Sequence, residues 1–378
     1  MKKKLVSMAV TAGLLGTMFT PATVSAAVGD YNIVTSAETH KVIYDTDNET
    51  DWFGDDSFAL LLLLQADAAG YLDLIGVTSA AANVTVAEST TANLNMLERA
   101  GRGDIPVAIG TDVPLAGLKG DATMEANGLK RINCMKQVLQ YGDTISYDNL
   151  GELEEYAWGY SSLKPAGQNA WEFMIEQVHK YPGEVTIMAV GACTNVAMAI
   201  LNDPTFAENT AGIYYMGGAI DVPGNDTPCA ERNWYYDPES VDVCLKADWP
   251  LQVIVPNDIS KNQKLTYDRI NLIMEAGDNE LIDMIRENAF AKRFEGNKDY
   301  KESLWDAQVP GIFMCPDFIT KTDVRDVAIV TDMGYTYGES VAWAEGTGPE
   351  GSATCTIVYD VDGDTYWQFM ADMIGAEF

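Results

Sequence analysis

Val42-Ile43-Tyr44-Asp45-Thr46-Asp47-Asn48-Glu49-Thr50-Asp51-Trp52-Phe53-Gly54-Asp55-Asp56-Ser57-Phe58-Ala59-Leu60-Leu61-Leu62-Leu63-Leu64 is the stretch on which the reading of this 378-residue chain turns. Val42-Ile43-Tyr44 is a short apolar run of strand type, and Phe58 to Leu64 is apolar on every face, as in a buried helix. Between them lie six carboxylates within twelve residues: Asp45, Asp47, Glu49, Asp51, Asp55 and Asp56. At neutral pH they repel one another unless a cation sits among them. A hard divalent ion with oxygen ligands, Ca²⁺ above all, is the natural neutraliser. In an open α/β sheet, ligands gather at the carboxyl ends of strands, where this loop falls. The same residues also fit a solvated acidic loop whose Asp55 or Asp56 faces the positive end of the helix. An EF-hand fits less well, because Thr50 stands where that loop needs glycine.

Working outward, strand-like and helix-like text alternates. Leu72 to Val77, Pro106 to Ile109, Val185 to Val190, Gly212 to Met216 and Leu251 to Val255 read as short buried strands. Amphipathic helices are predicted near 85–101, 168–181, 195–203 and 237–246. The alternation predicts an α/β fold, a mostly parallel central sheet flanked by helices, in one domain over 41–378. Residues 116–157, with a helix near 129–140, break the rhythm and read as an insertion or lid beside the site. Near the carboxyl end, Asp362-Gly363 between two β-rich runs predicts a hairpin, preferred over a calcium loop of Asp360, Asp362 and Asp364.

Met1-Lys2-Lys3-Lys4, an apolar run from Leu5 to about Phe19 and Val24-Ser25-Ala26 make residues 1–26 a secretory signal peptide, with 27–40 as an amino-terminal extension. The expected destination is the extracellular space or the cell envelope. The apolar core is too short for a membrane span, and no similar run follows it. A net charge of −32 disfavours nucleic acid and anionic membranes as partners and suits a neutral small molecule. Cys134, Cys193, Cys229, Cys244, Cys315 and Cys355 show no paired spacing, which argues against zinc and for buried free thiols. His40 and His179 are the two histidines, and His179 sits at the end of a predicted helix, so a Ser-His-Asp hydrolase is poorly supported.

Other segments carry polar chemistry. After the strand ending at Met216 come Gly217-Gly218, Asn225, and Ala230-Glu231-Arg232-Asn233, whose amides and carboxylate suit sugar hydroxyls or, more plainly, local backbone groups. Asp237-Pro238 reads as a helix start. Gly191-Ala192-Cys193-Thr194-Asn195 follows a strand, and Thr194 or Asn195 is either a ligand source or a helix cap. Trp305-Asp306 precedes an apolar helical run.

Together these segments resemble the calcium-dependent nucleoside hydrolases (inosine–uridine-preferring nucleoside hydrolase family). The likeness runs from about Lys41 to about Ile374 and includes the Ile105 to Gly110 run, Pro114-Leu115 and Trp367. The resemblance implies a Ca²⁺ site of Asp47, Asp56, Asp306 and the Thr194 carbonyl, with Asp47 activating water. It implies that Asp55, Asn83, Met216, Asn225, Glu231 and Asn233 hold the ribose. Relatives are commonly dimers or tetramers, so a homo-oligomer is compatible. The first loop is longer than the family's compact form, so Asp51 or Glu49 is an alternative ligand. Trp305 stands where many members carry histidine, resembling the purine-preferring branch, in which the base stacks between aromatic rings. Trp158 is the candidate second ring, or else a core or lid aromatic. The expectation is a secreted Ca²⁺-dependent N-ribohydrolase, purine-favouring, releasing base and ribose. Its rivals are a non-catalytic calcium-dependent protein that binds a ribosylated ligand, and a hydrolase of a modified or pyrimidine nucleoside.

Overall fold

The computed structural model describes residues 28–49, 54–116 and 161–377. Its first half holds β1 (Lys41–Thr46), α1 (Asp55–Ala68), β2 (Asp73–Ser79), α2 (Val86–Arg99) and β3 (Val107–Ile109). α3 (Ala170–Lys180), β4 (Val185–Ala189), α4 (Thr194–Asn202), β5 (Gly212–Met216), α5 (Arg232–Tyr236), α6 (Pro238–Lys246) and β6 (Gln252–Val255) follow. Then come α7 (Asn257–Ser260), β7 (Lys264–Thr266), α8 (Tyr267–Met274), α9 (Glu280–Glu287), α10 (Ala289–Gly296), β8 (Lys301–Ser303) and α11 (Gln308–Met314). The chain closes with β9 (Ile319–Ile329), β10 (Ser340–Ala344), β11 (Ala353–Val361) and α12 (Gly363–Gly375).

Among the described residues the main sheet has the order β10-β9-β11-β6-β5-β4-β1-β2-β3. It is parallel from β3 to β11, and β9 and β10 extend it antiparallel. This is the single α/β domain that the alternation predicts. The side chains obey the period of two that a sheet covered on both faces requires. Val42 and Tyr44, Met188 and Val190, and Val253 and Val255 enter one apolar layer. Ile43, Ile187, Ile213, Tyr215 and Ile254 enter the layer on the other face. The strand order reverses between β1 and β4, and such a switch point opens a crevice at the carboxyl ends of the strands. β7 and β8 form a separate antiparallel pair in which Lys264 lies opposite Ser303.

The predicted strands and helices appear with shifts of one or two residues at their ends. The carboxyl-terminal hairpin does not. Asp362-Gly363 begins helix α12, and the Tyr366 N–H donates to the Asp362 carbonyl at 2.9 Å. The reason lies in spacing: Tyr366, Trp367, Phe369, Met370, Met373 and Ile374 recur at helical period and are all buried. Gly363 is needed for close approach, since a Cβ there would meet Gln263 Oε1 at 2.2 Å. Asp360 accepts from Asn262 and Gln263, so the alternative calcium loop has no support either. The segment 116–157, the predicted helix near 129–140, and Trp158, Asp51 and Cys134 lie, but for residue 116, outside the described residues. The described cysteines, Cys193, Cys229, Cys244, Cys315 and Cys355, are free thiols. No helix among the described residues is long and apolar enough to cross a membrane.

Candidate active site

The acidic loop leaves β1 at the switch point, and its carboxylates take different roles. Asp45, still within the strand, accepts from Thr78 Oγ1 at 2.6 Å and Asn195 Nδ2 at 2.8 Å, which ties β1 to β2 and α4. Asp47 Oδ2 accepts the Asn83 N–H at 2.5 Å, while its Oδ1 is buried without a partner. That free oxygen lies against the loop after β4: a Cβ on Gly191 would sit 2.9 Å from it. Asp56 accepts from Thr46 Oγ1, and Asp55 Oδ2 accepts the Trp305 N–H at 3.0 Å. Carboxylate oxygens of Asp55, Asp56 and Asp306 all lie within 4.8 Å of one another, and Asp306 Oδ1 is a second buried oxygen without a partner.

Such a group is unstable as a set of bare anions. Burial pushes the Asp47 carboxyl up to about 7 against the Asn83 N–H, with Asp55 adding to the rise. Burial, then the charges of Asp47 and Asp55, carry Asp56 well above the carboxylate range. Asp306 rises for the same reasons, with Asp55 and Asp56 the nearest charges. Burial and the Asp47 charge take Glu49 up to about 8. At neutral pH the cluster needs protons or a cation, and the donors are all oxygen, as hard divalent ions demand. Asp55, Asp56 and Asp306 therefore fit a divalent metal, while Asp47 stands outside that close-set group and acts on Asp56 and Asp306 through its charge.

The second wall comes from the loop between β5 and α5. Glu231 caps α5: its Oε1 accepts the Asn233 N–H at 2.9 Å, and its Oε2 accepts the Gly218 and Trp234 N–H groups, each at 3.1 Å. One lone-pair direction on Oε1 is left for a further donor. Burial holds this carboxyl up at about 7. Asn233 Nδ2 donates to the Val190 carbonyl at 2.6 Å and to the Met216 carbonyl at 3.3 Å, which pins the loop to the ends of β4 and β5. Asn225 Oδ1 accepts the Arg232 N–H at 2.9 Å.

Metal cluster and loop face one cavity of about 260 Å³, which Asp55, Asp56, Asn83, Met216, Asn225, Glu231, Asn233, Trp305 and Asp306 help to line. Trp305 is fixed at its edge, its Nε1 donating to Asn257 Oδ1 at 2.8 Å. Thr194 is buried at the first position of α4, and its hydroxyl donates to Asp237 Oδ2 at 2.7 Å. Neither Thr194 nor Asn195 caps that helix by its side chain, whereas Asp237-Pro238 does open α6 as expected.

Glu49 also lines the cavity, and four further lining residues, Gly54, Arg232, Glu302 and Ser303, are ones the motifs did not single out as site residues. Arg232 Nη1 donates to Asn83 Oδ1 at 3.1 Å, joining the two walls. It stood inside the quoted loop, but nothing in its spacing separated a bridging arginine from a solvated one. Glu302 and Ser303 are close before Trp305-Asp306 in the chain, and that adjacency was the available signal.

Residues 42–368 match the model of a family described as inosine-uridine preferring nucleoside hydrolases. Uridine nucleosidase 1 of Arabidopsis thaliana is 35% identical over 228 residues, 60% of this chain and 59% of the plant protein. The chain thus spans less than two thirds of that relative's length. The pyrimidine-specific ribonucleoside hydrolase RihA of Citrobacter koseri is 29% identical over 337 residues, 85% of this chain and 94% of the other. A solved plant nucleoside hydrolase, PpNRh1, aligns with a TM-score of 0.70 at 27% identity, over 90% of this chain and 100% of that one. With the match running across nearly all of the described sheet and through both walls of the cavity, this chain belongs to the inosine-uridine preferring nucleoside hydrolase family.

Proposed function

We propose that this protein is a Ca²⁺-dependent N-ribohydrolase that splits ribonucleosides into free base and ribose. One observation carries the reading: oxygens of Asp55, Asp56 and Asp306 converge, with the Asp47 charge acting on Asp56 and Asp306 and with Asp47 Oδ1 and Asp306 Oδ1 buried and unpartnered, beside a loop of sugar-binding polarity. Asp47, Asp56 and Asp306, with the Thr194 carbonyl, are the proposed protein ligands. When bound, calcium supplies positive charge and open coordination positions that acidify water. Asp47 takes the proton of the attacking water on the carboxylate that Asn83 orients. Asp55, Asn83, Asn225, Glu231 and Asn233 take the ribose hydroxyls over Met216. The carboxylate-rich wall favours the positive charge that develops on the sugar ring as the N-glycosidic bond breaks.

For the base, the names of the relatives support a pyrimidine, uridine first. Purine preference is the second reading, favoured by the indole of Trp305 in the cavity wall. The lysines and apolar run of residues 1–26 support export and, with it, a reaction outside the cytoplasm.

Free base and reducing sugar are to be measured after incubating the protein with uridine, cytidine, inosine and guanosine. Matching release of both products is expected, and Asp47→Ala should lower kcat by about 100-fold or more. Saturable binding of a nucleoside with no product would replace this reading with that of a binding protein.

A further inference from the structure

Cleavage of an N-glycosidic bond needs a proton for the departing base, and neither histidine supplies one. The His40 ring packs on Phe313, and His179 lies at 2.5 Å from Asp203 in the last turn of α3. The cavity has three sides: the aspartate cluster, the Asn225 to Asn233 loop, and Glu302, Ser303 and Trp305. The first two are claimed by metal and sugar, which leaves the third for the base. On that side Ser303 is buried, and it stands opposite Lys264 across the β7–β8 pair. Lys264 Nζ donates to Ser303 Oγ. The serine therefore acts as acceptor in that bond, and its own hydrogen has no acceptor among the described residues. The same ammonium lies 5.9 Å from the centre of the Trp305 ring.

We propose that Ser303 hands the departing base its proton and that Lys264, acting through Ser303, replaces it. This rests on the N-ribohydrolase reading above. In the step, the C1′–N bond breaks and its electron pair goes to the base. The base takes the Ser303 hydroxyl proton at a ring nitrogen or a carbonyl oxygen. Ser303 Oγ takes a proton from the Lys264 ammonium, which becomes a neutral amine. Water supplies hydroxide to C1′ and its proton to Asp47, so one proton enters the protein as one leaves it, and solvent resets both groups. Ser303 is the catalytic residue here, and Lys264 acts only through it.

The surroundings of Lys264 suit a donor. Burial lowers its ammonium below the usual lysine range, Glu302 opposes the fall and Lys261 adds to it. Arg269 Nη1 donates to the Lys264 carbonyl and so ties the β7 backbone to α8. Glu302 is itself occupied by the Tyr300 hydroxyl and the Ser303 N–H. A less basic ammonium is a better acid near neutral pH, and activity should fall as pH rises through its titration.

The test compares Ser303→Ala, Lys264→Met and Lys264→Arg with wild type. The substrates are the preferred natural nucleoside and 4-nitrophenyl riboside, whose phenolate departs without protonation. Ser303→Ala and Lys264→Met should lose about 100-fold or more in kcat/KM on the nucleoside but only a few-fold on the nitrophenyl riboside. Lys264→Met should also remove the alkaline limb of the pH profile, and Lys264→Arg should restore part of the rate with that limb moved to higher pH. Equal losses on both substrates, no loss on either, or an unchanged alkaline limb in Lys264→Met would overturn the proposal. A wild type that cleaves neither substrate would instead overturn the hydrolase reading beneath it. Thermal melts of each variant separate lost chemistry from lost folding.

Discussion

Two aspartates at one strand end, Asp45 and Asp47, differ in the donors they receive. Thr78 and Asn195 occupy Asp45, whose task is to bind β1 to its neighbours. Asp47 receives one backbone N–H; each of the two keeps one buried oxygen without a partner, and that of Asp47 lies against the loop after β4. Asp112, away from this cluster, follows the same rule with a measurable outcome. Its Oδ1 accepts the Val86 N–H at 2.7 Å, yet burial still pushes the carboxyl up to about 6. A folded pKa above the unfolded one, about 3.9, means that the folded state is favoured while the group is protonated. The benefit is whole below pH 4 and is lost as pH climbs to about 6, after which a buried charge remains. Asp112→Asn keeps the acceptor without the charge. It should stabilise the protein by about 3 kcal/mol at pH 8 and by almost nothing at pH 4, as urea unfolding at the two values would register.

Among the elements, α1 matters most to the site, because its first turn carries Asp55 and Asp56 while its body is held from all sides. Leu60, Leu61, Leu62 and Leu63 are fully buried, between the β-sheet and the helices α11 and α12. Leu61→Ala should cost about 2–5 kcal/mol in urea unfolding, through the lost transfer energy and the cavity left behind. The sequence showed this helix because a run apolar on every face fits only a buried one. It showed most strands for the same reason, since parallel strands covered on both faces read as continuous apolar runs. α12 was legible too, but the Asp-Gly signal outweighed the helical spacing of Tyr366, Phe369, Met370 and Met373. The β9–β10 edge escaped notice because exposed charges along Thr320 to Val324 hide the strand.

At the scale of the molecule, the strand order decides where chemistry can occur. The reversal between β1 and β4 brings Asp47, the loop after β4 and the loop after β5 to one edge, from positions far apart in the chain. Asn83, Met216, Glu231, Asn233 and Asp306, which motif order singled out, line one cavity. That order could not foretell Arg232, Ser303 or Lys264, whose places depend on how the β7–β8 pair and the Glu231 loop close over the sheet. The net charge of −32 directs attention to neutral ligands and a cation-filled centre. The most direct test is ribose release from uridine and inosine by protein stripped with a chelator, then given Ca²⁺. Loss of release on stripping and recovery with Ca²⁺, absent in Asp306→Ala, is the predicted result; release that persists in the stripped protein would contradict the account.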